Sequence, residues 1–492
     1  MRKYLSLNLI VVLVALIFAG CGGTETVENG GNDMTTSSTE VISSEETLAE
    51  EISSDESSKN DSSSKKPSNS KKPSSKPSKN DGKNNSSSKR PTGVSSKPTS
   101  SKKPSKTSSE DDYYEITYTD EEKIYYGLDP DLYKLGLESK GNSSRIAALM
   151  QKAKKGGNYK IAVLGGSISR GAGTSNKFFS YGNLVCEWWK DNFPNANFEF
   201  INAGFGATNP EMACYRMQED LLNYKPDFVV VDYTVNTYLD NNVASTIPTI
   251  LYKILSQKNS PAVMYIHFTN CVRDKYEGIG ICQKPSGGIP YGIEKALKEY
   301  DIPTMSYHNY IWDKLDSGKL KWENIGADYI HPNDNGHMIA ANLITAHLKE
   351  VLNNLSKYSG KITAPQKLKD TSYLNLGYIL NNSNGVTMSG SFEKRSGQYA
   401  DGKGWGYTAS SKASALTIPV PENKSIKVFM SITSGSTGDI TVTDSNNKTY
   451  TIRSNAASTP TLVDIGKMSG KITFTPNFTN GGFVIYGIGV NK

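Results

Sequence analysis

The sequence predicts a mixed α/β fold, a three-layer sandwich built on a parallel sheet, followed by a separate all-β sandwich. Three observations carry that expectation. Between residues 113 and 360, apolar runs of strand length alternate with amphipathic stretches of helix length. Near Ala364-Pro365 the composition changes, and short strand-like runs with Gly, Asn, Ser and Thr turns replace the alternation. About 380 residues follow the low-complexity N-terminal part, too many for one ordinary core.

At the N-terminus, Arg2 and Lys3 precede an apolar run from Leu5 to Phe18 that ends in Ala19-Gly20-Cys21. A basic start, a short apolar stretch and small residues before the cut describe a secretory signal over residues 1–20 rather than a membrane span. The cysteine at the cut resembles a bacterial lipoprotein signal, in which Cys21 is lipidated and becomes the mature N-terminus. An ordinary signal with an incidental cysteine is the other reading. No later run reaches the roughly 18 apolar residues of a spanning helix.

Residues 21–112 hold too little apolar side chain to offset the entropy of ordering and read as a disordered Ser/Lys/Pro-rich tether. Ten acidic and no basic residues lie between Thr24 and Ser58, whereas fourteen basic and two acidic lie between Lys59 and Lys106. The formal net charge of +6 therefore misleads, because residues 107–492 keep only about +2 of it. A near-neutral folded part argues against nucleic acid as a partner. The basic run reads as a solvated spacer resting on anionic wall polymer or lipid. As a flexible coil, about 90 residues span roughly 50 Å root-mean-square, which suits a folded head held away from a membrane.

Within residues 113–360, apolar runs at 159–164, 198–202, 227–232 and 261–268 have the character of buried parallel strands, with a weaker fifth at 302–307. Amphipathic stretches at 144–155, 178–192, 209–223, 289–299 and 333–354 lie between them. Ser143 or Ser144 is placed to cap the first helix, and Gly156-Gly157 to end it. The expected architecture is flavodoxin-like.

In an open α/β sheet a site assembles at the carboxyl ends of the strands. Four short sequences stand there: Gly165-Gly166-Ser167, Gly204-Phe205-Gly206, Val235-Asn236 and, late in the domain, Asp328-Tyr329-Ile330-His331. Ser167 does not sit in a Gly-x-Ser-x-Gly elbow, because position 169 is Ser. A phosphate loop is the competing reading of such a turn, but no Gly-Lys-Ser/Thr follows. A serine hydroxyl needs a neighbouring base. Of the five histidines, His331 is the candidate, because Asp328 can orient its imidazole and Pro332 places it on a loop entering the last helix. His267 falls in the fourth strand and reads as core, while His337 and His347 belong to the last helix, where packing or a surface position is expected. Negative charge developing on an acyl oxygen needs fixed donors, which Gly206 can supply as a backbone N–H and Asn236 as a side-chain amide. Arg170 and Arg216 are candidates for touching a polar or anionic substrate. These are the groups that acyl transfer to serine needs, and no cofactor or metal-ligand spacing accompanies them.

At these positions the sequence resembles the SGNH (GDSL-like) hydrolases. The first block is Val163-Leu164-Gly165-Gly166-Ser167-Ile168-Ser169 and the second Asn202-Ala203-Gly204-Phe205-Gly206-Ala207-Thr208. The third runs from Pro226-Asp227-Phe228 to Val235-Asn236, and the last is Asp328-Tyr329-Ile330-His331-Pro332. The likeness covers most of residues 140–355. It implies Ser167 as nucleophile, His331 as base, Asp328 as its partner, and the Ser167 N–H, Gly206 and Asn236 as oxyanion hole. Two departures stand out: Gly166 replaces the usual Asp before the nucleophile, a variant familiar in exported carbohydrate esterases of the family, and Thr237 replaces the Asp that commonly follows the third-block Asn.

Apart from Cys21 there are Cys186, Cys214, Cys271 and Cys282, which outside a cell allow up to two disulfides. Cys271 and Cys282 flank a Gly-rich loop and are the preferred pair; Cys186 and Cys214 fall on predicted helices, where free buried thiols are an equal expectation. Residues 365–492 carry strand-like runs at 415–420, 425–432, 438–443, 449–452, 471–475 and 483–489, the pattern of a β-sandwich of jelly-roll type. Trp405, between glycines, is either a sugar-stacking platform or a core aromatic.

The resulting expectation is an exported serine esterase, lipid-anchored at a bacterial cell surface, that removes O-acetyl groups from polysaccharide. Two alternatives remain: a glycan-binding lipoprotein with an inactive catalytic domain, and a lipase or thioesterase of the same family. No long apolar segment near the site suggests a lipase lid.

Overall fold

A computed structural model describes residues 117–237, 242–269, 289–396 and 402–491, all within one unit by their contacts. The expected signal, Cys21, the tether and the Cys271–Cys282 pair lie outside the described residues.

The first part runs β1 (Leu137–Ser139), α1 (Ser144–Ala153), β2 (Gly157–Gly165), α2 (Ser167–Arg170), α3 (Tyr181–Asn192), β3 (Ala196–Gly204), α4 (Pro210–Asp220) and β4 (Phe228–Asp232). It continues with α5 (Val243–Leu255), β5 (Ala262–His267), α6 (Ile289–Glu299), β6 (Thr304–Ser306), α7 (Tyr307–Asp316) and α8 (Asp334–Asn353). The sheet order is β1-β6-β5-β4-β2-β3, with β2 to β6 parallel and β1 antiparallel on the edge. Omitting β1, the order is the doubly wound one of flavodoxin-like proteins.

Burial explains why these strands read as unbroken apolar runs. In β2 and β4, Ile161, Val163, Phe228 and Val230 pack on one face with Trp189 of α3 and Leu343 of α8. Their neighbours Ala162, Leu164, Val229 and Val231 pack on the other with Met217 of α4 and Ile250 of α5. Side chains alternate across a strand, so a strand covered on both faces needs apolar residues at every position. β1 was not expected: three residues, none buried, carry no readable period. The fifth parallel strand, expected at 302–307, is only Thr304–Ser306.

The second part contains β7 (Leu376–Ile379), β8 (Thr387–Ser389), β9 (Phe392–Lys394), β10 (Trp405–Thr408), β11 (Ala415–Pro419), β12 (Lys424–Ile432) and β13 (Thr437–Thr443). β14 (Thr449–Arg453), β15 (Thr461–Met468), β16 (Lys471–Asn480) and β17 (Gly482–Asn491) complete it. Two antiparallel sheets, β15-β12-β17-β10-β9 with β7 on β17, and β14-β13-β16-β11-β8, enclose one apolar core. All six expected runs are strands. β15 escaped notice because Asp464 and Gly466 interrupt its apolar pattern.

Trp405 requires a correction. It lies on β10, between β17 and β9, and is fully buried in the sandwich core, so no ring face is open to a sugar. Of the two uses expected for it, the structure leaves core packing.

Candidate active site

Ser167 begins α2 directly after β2, the strand flanked by β3 on one side and β4 on the other. Connections leave that point in opposite directions, and the divergence opens a crevice at the carboxyl ends of the strands. His331 stands on the loop between the short helix Trp322–Ile325 and α8. Its Nε2 lies 2.9 Å from Ser167 Oγ, and its Nδ1 lies 2.7 Å from Asp328 Oδ2. In the neutral ring that donates its Nδ1 proton to this carboxylate, Nε2 is the acceptor that faces the serine hydroxyl.

Asp328 also shapes the loop. Its Oδ1 accepts the backbone N–H of Ile330 and of His331, both at 2.7 Å. Partial burial pushes the carboxyl pKa upward, but the imidazole and these two N–H donors outweigh it and hold the group below its usual value. The loop is closed by a bridge between Gly326 and Pro332, by Ala327 N–H on the His331 carbonyl at 2.8 Å, and by Trp322 Nε1–H on the Asp328 carbonyl at 2.7 Å. It is also locked to the serine loop. Gly173 adopts φ +87°, and a Cβ there would meet the Pro332 carbonyl at 2.1 Å, so only glycine permits this approach. Asp334 accepts Ser175 N–H at 2.9 Å, and His337 Nε2 bonds the Ala172 carbonyl at 3.0 Å. Burial drives His337 down to about 4, so it serves this contact as a neutral ring; of the packing and surface positions expected for it, it takes the packed one.

The candidate oxyanion donors approach from the neighbouring strand ends. Asn236 Nδ2 donates to the Thr208 carbonyl at 3.0 Å, which fixes the amide and leaves its second hydrogen to point elsewhere. A Cβ on Gly166 would stand 2.6 Å from that nitrogen, so the absence of a side chain before Ser167 is what lets the amide lie against the serine turn. Thr237 bonds the Thr234 carbonyl at 2.9 Å. The contact that holds Asn236 thus comes from Thr208, not from the position where the resemblance implies Asp. Nothing lies closer than 3.8 Å to where a Cβ of Gly206 would stand, and the atom at that distance is Arg170 Nη1. Arg170 therefore borders the Gly206 turn.

Arg216 requires the second correction. It is fully buried rather than available to substrate. Its guanidinium donates to the Ala203 carbonyl at 2.8 Å, the Gly165 carbonyl at 3.1 Å, the Tyr233 hydroxyl at 2.9 Å and Asp220 at 3.2 Å. Burial opposes its charge, but Tyr233 and Asp220 outweigh it and raise the pKa further. α4 thus aims Arg216 under the site, where it ties together the ends of β2 and β3.

A second buried group was missed. Asp232 ends β4 fully buried; Ser169 Oγ lies 3.3 Å from its Oδ2 and 2.7 Å from Tyr181 OH. Desolvation raises the Asp232 carboxyl to about 7, despite opposing hydrogen bonds from Thr234 and Ser169. A carboxylate ending an otherwise apolar run, Phe228–Val231, was the available signal. Cys186 and Cys214 are buried and belong to the core clusters on opposite faces of the sheet, where the Cys214 thiol donates to the Thr246 carbonyl at 3.6 Å.

No protein-family model and no curated protein sequence matches the chain. Among solved structures, the chain is similar to a two-domain esterase (CEX) active on acetylated mannans, at 24% identity and a TM-score of 0.57, over 73% of this chain and 98% of that one. The structure of that esterase co-crystallised with mannopentaose matches with a TM-score of 0.58 at the same identity and coverage. Axe2, an acetylxylan esterase from Geobacillus stearothermophilus, matches with a TM-score of 0.32 at 16% identity, over 40% of this chain and 96% of that one. At these identities the likeness to the two-domain esterase is one of fold, and it spans both the α/β part and the β-sandwich.

Proposed function

We propose that the chain is an SGNH-type serine esterase that removes acetyl and other short acyl groups from extracellular polysaccharide. The observation that carries this reading is the unbroken line from Ser167 Oγ through His331 to Asp328, at 2.9 and 2.7 Å. In the proposed reaction Ser167 Oγ attacks the acyl carbon while His331 Nε2 takes its proton. The bond from the acyl carbon to the sugar oxygen then breaks, the imidazolium returns the proton to that oxygen, and acyl-Ser167 remains. Water, deprotonated by His331, attacks the acyl carbon; the bond to Ser167 Oγ breaks, the imidazolium returns the proton to that oxygen, and the carboxylic acid is released. Asp328 stabilises the imidazolium in both halves. The Ser167 and Gly206 N–H groups and the Asn236 amide stabilise the oxyanion, and Arg170 lines the sugar side of the Gly206 turn.

Activity of the two-domain structural neighbour on acetylated mannans supports a polysaccharide substrate and makes acetylated mannan the first polymer to test. Export and a lipid anchor at Cys21, with residues 21–112 as tether, fit a polymeric substrate outside the cell. The test is ester hydrolysis by the full chain on p-nitrophenyl acetate, longer p-nitrophenyl esters and acetylated mannan and xylan. Acetate release that falls by roughly 10⁴-fold or more in Ser167→Ala supports the reading. Faster turnover of long acyl chains than of acetate would redirect it to a lipase or thioesterase. Polysaccharide binding without hydrolysis would leave only a glycan-binding protein.

A further inference from the structure

The turn that carries Gly206 has glycine on both sides of Phe205 and a following Ala207 at φ +53°; its backbone is held by Phe205 N–H on the Gly165 carbonyl at 3.0 Å and by Thr208 Oγ1 on the Phe205 carbonyl at 2.8 Å. Its one bulky side chain points into the second part of the molecule. Phe205 is 2% exposed; its ring lies 4.9 Å from that of Phe429 on β12 and 5.0 Å, edge-on, from that of Tyr486 on β17. Met212 of α4 completes the cluster, and the Arg216 guanidinium lies 5.6 Å from the Phe205 ring centre. A polar strut runs parallel to this one. Lys403 of the sandwich pairs with Asp220 at 3.3 Å, Asp220 pairs with Arg216, and Arg216 holds the carbonyls of Gly165 and Ala203. Lys427 of β12 pairs in addition with Glu211 in the first turn of α4.

Resting on the esterase reading above, we infer that the β-sandwich is a structural part of the acyl-transfer site. Phe429 and Tyr486 are positioning residues that clamp Phe205 and so hold the Gly206 N–H where the oxyanion forms. An oxyanion donor acts only once charge has developed on the acyl oxygen, so misplacing it slows the chemical step without weakening binding of the ester. A shift of about 1 Å in such a group costs on the order of 10²-fold in rate. The role assigned to the sandwich is thus independent of any sugar it binds, and it acts on substrates that have no sugar at all.

The test uses the full chain and p-nitrophenyl acetate, a substrate with no sugar for the sandwich to bind. Phe429→Ala, Tyr486→Ala and the double variant are compared with Phe429→Leu, which refills most of the volume, and with Val442→Ala, a sandwich-core change outside the cluster. The expected result is a fall in kcat of about tenfold for each alanine variant and about a hundredfold for the pair, at unchanged KM. Phe429→Leu stays within about threefold of wild type, and Val442→Ala melts earlier but keeps its kcat. Circular dichroism and melting curves establish folding; should the double variant not fold, Tyr486→Ala, whose ring is only half-buried, decides alone. Wild-type kcat in the folded variants overturns the inference, as does a change in KM alone or an equal loss of kcat in Val442→Ala. If wild type itself shows no turnover dependent on Ser167, the esterase reading fails and takes the inference with it. Turnover that depends on Ser167 but ignores the clamp removes the inference alone.

Discussion

The Ser167–His331–Asp328 line and the polar network directly beneath it are built on opposite principles. His331 and Asp328 are 25% and 42% exposed, while Arg216 and Asp220, one layer down, are 0% and 4% exposed. The upper groups meet solvent, as the proposed reaction requires of groups that an ester and then a water molecule must reach. The lower groups meet none, and they hold carbonyls and loop ends in place through bonds that desolvation makes costly to break. Strongly displaced titration is often used to locate catalytic groups. Here that criterion selects buried groups: Asp232 is raised to about 7 and His337 is lowered to about 4 beside the site, and His347 is lowered to about 4 against Ser143, outside it. A perturbed group in this fold marks burial.

The comparison breaks most visibly if a change above the floor acts like one below it. Asp328→Asn keeps an oxygen for the two backbone N–H bonds but presents an N–H to His331 Nδ1. The proton then moves to Nε2, the atom that faces Ser167, and the base is blocked. The expected loss is about 10³–10⁴-fold in kcat on p-nitrophenyl acetate, with the melting temperature close to that of wild type. Arg216→Met should do the reverse. It leaves Asp220 with Lys403 alone and two strand-end carbonyls without their donor in a dry environment, and breaking a buried pair in this way costs about 3 kcal/mol or more. Denaturant unfolding reads that loss, and KM for acetylated polysaccharide stays unchanged. A raised KM at full stability would restore Arg216 to the substrate-contact role its sequence position suggested.

What could be read beforehand follows the same division. The parallel strands were legible because burial on both faces forces continuous apolar runs, as in β4, where all five residues are buried. Ser167 and His331 stand 164 positions apart, yet each follows a strand or precedes a helix at the same end of the sheet, and that topology alone brings them together. Arg216 was not legible. Its helical position fixes the side of α4 it occupies only once α4 is packed, and the carbonyls it binds belong to two other strands. Trp405 stayed open between a sugar platform and core packing, because flanking glycines suit an exposed ring and a tightly paired strand equally well, and the structure shows core packing. Phe205 stood in plain view between two glycines, but its partners, Phe429 and Tyr486, are more than two hundred residues away and carry no local mark.

The finest test of the division is Asp232. Its carboxyl ordinarily titrates near 3.8 and is raised to about 7 in the folded protein by burial. Between those values the folded state holds a proton that the unfolded chain has lost, so stability must decline as pH climbs from about 4 to about 7. His337 and His347 pull the other way: burial lowers both to about 4, and the unfolded chain binds protons that the folded state refuses below about 6.5. Stability of the wild type against pH is therefore a sum of opposing slopes. The difference between wild type and Asp232→Asn isolates one of them, because the histidines contribute equally to both. From pH 5 to pH 8 the wild type should lose about 3 kcal/mol relative to the variant, measured by denaturant unfolding at each pH. A flat difference would mean that Asp232 stays ionised through the window, and that the Ser169 and Tyr181 hydroxyls solvate its charge rather than share its proton.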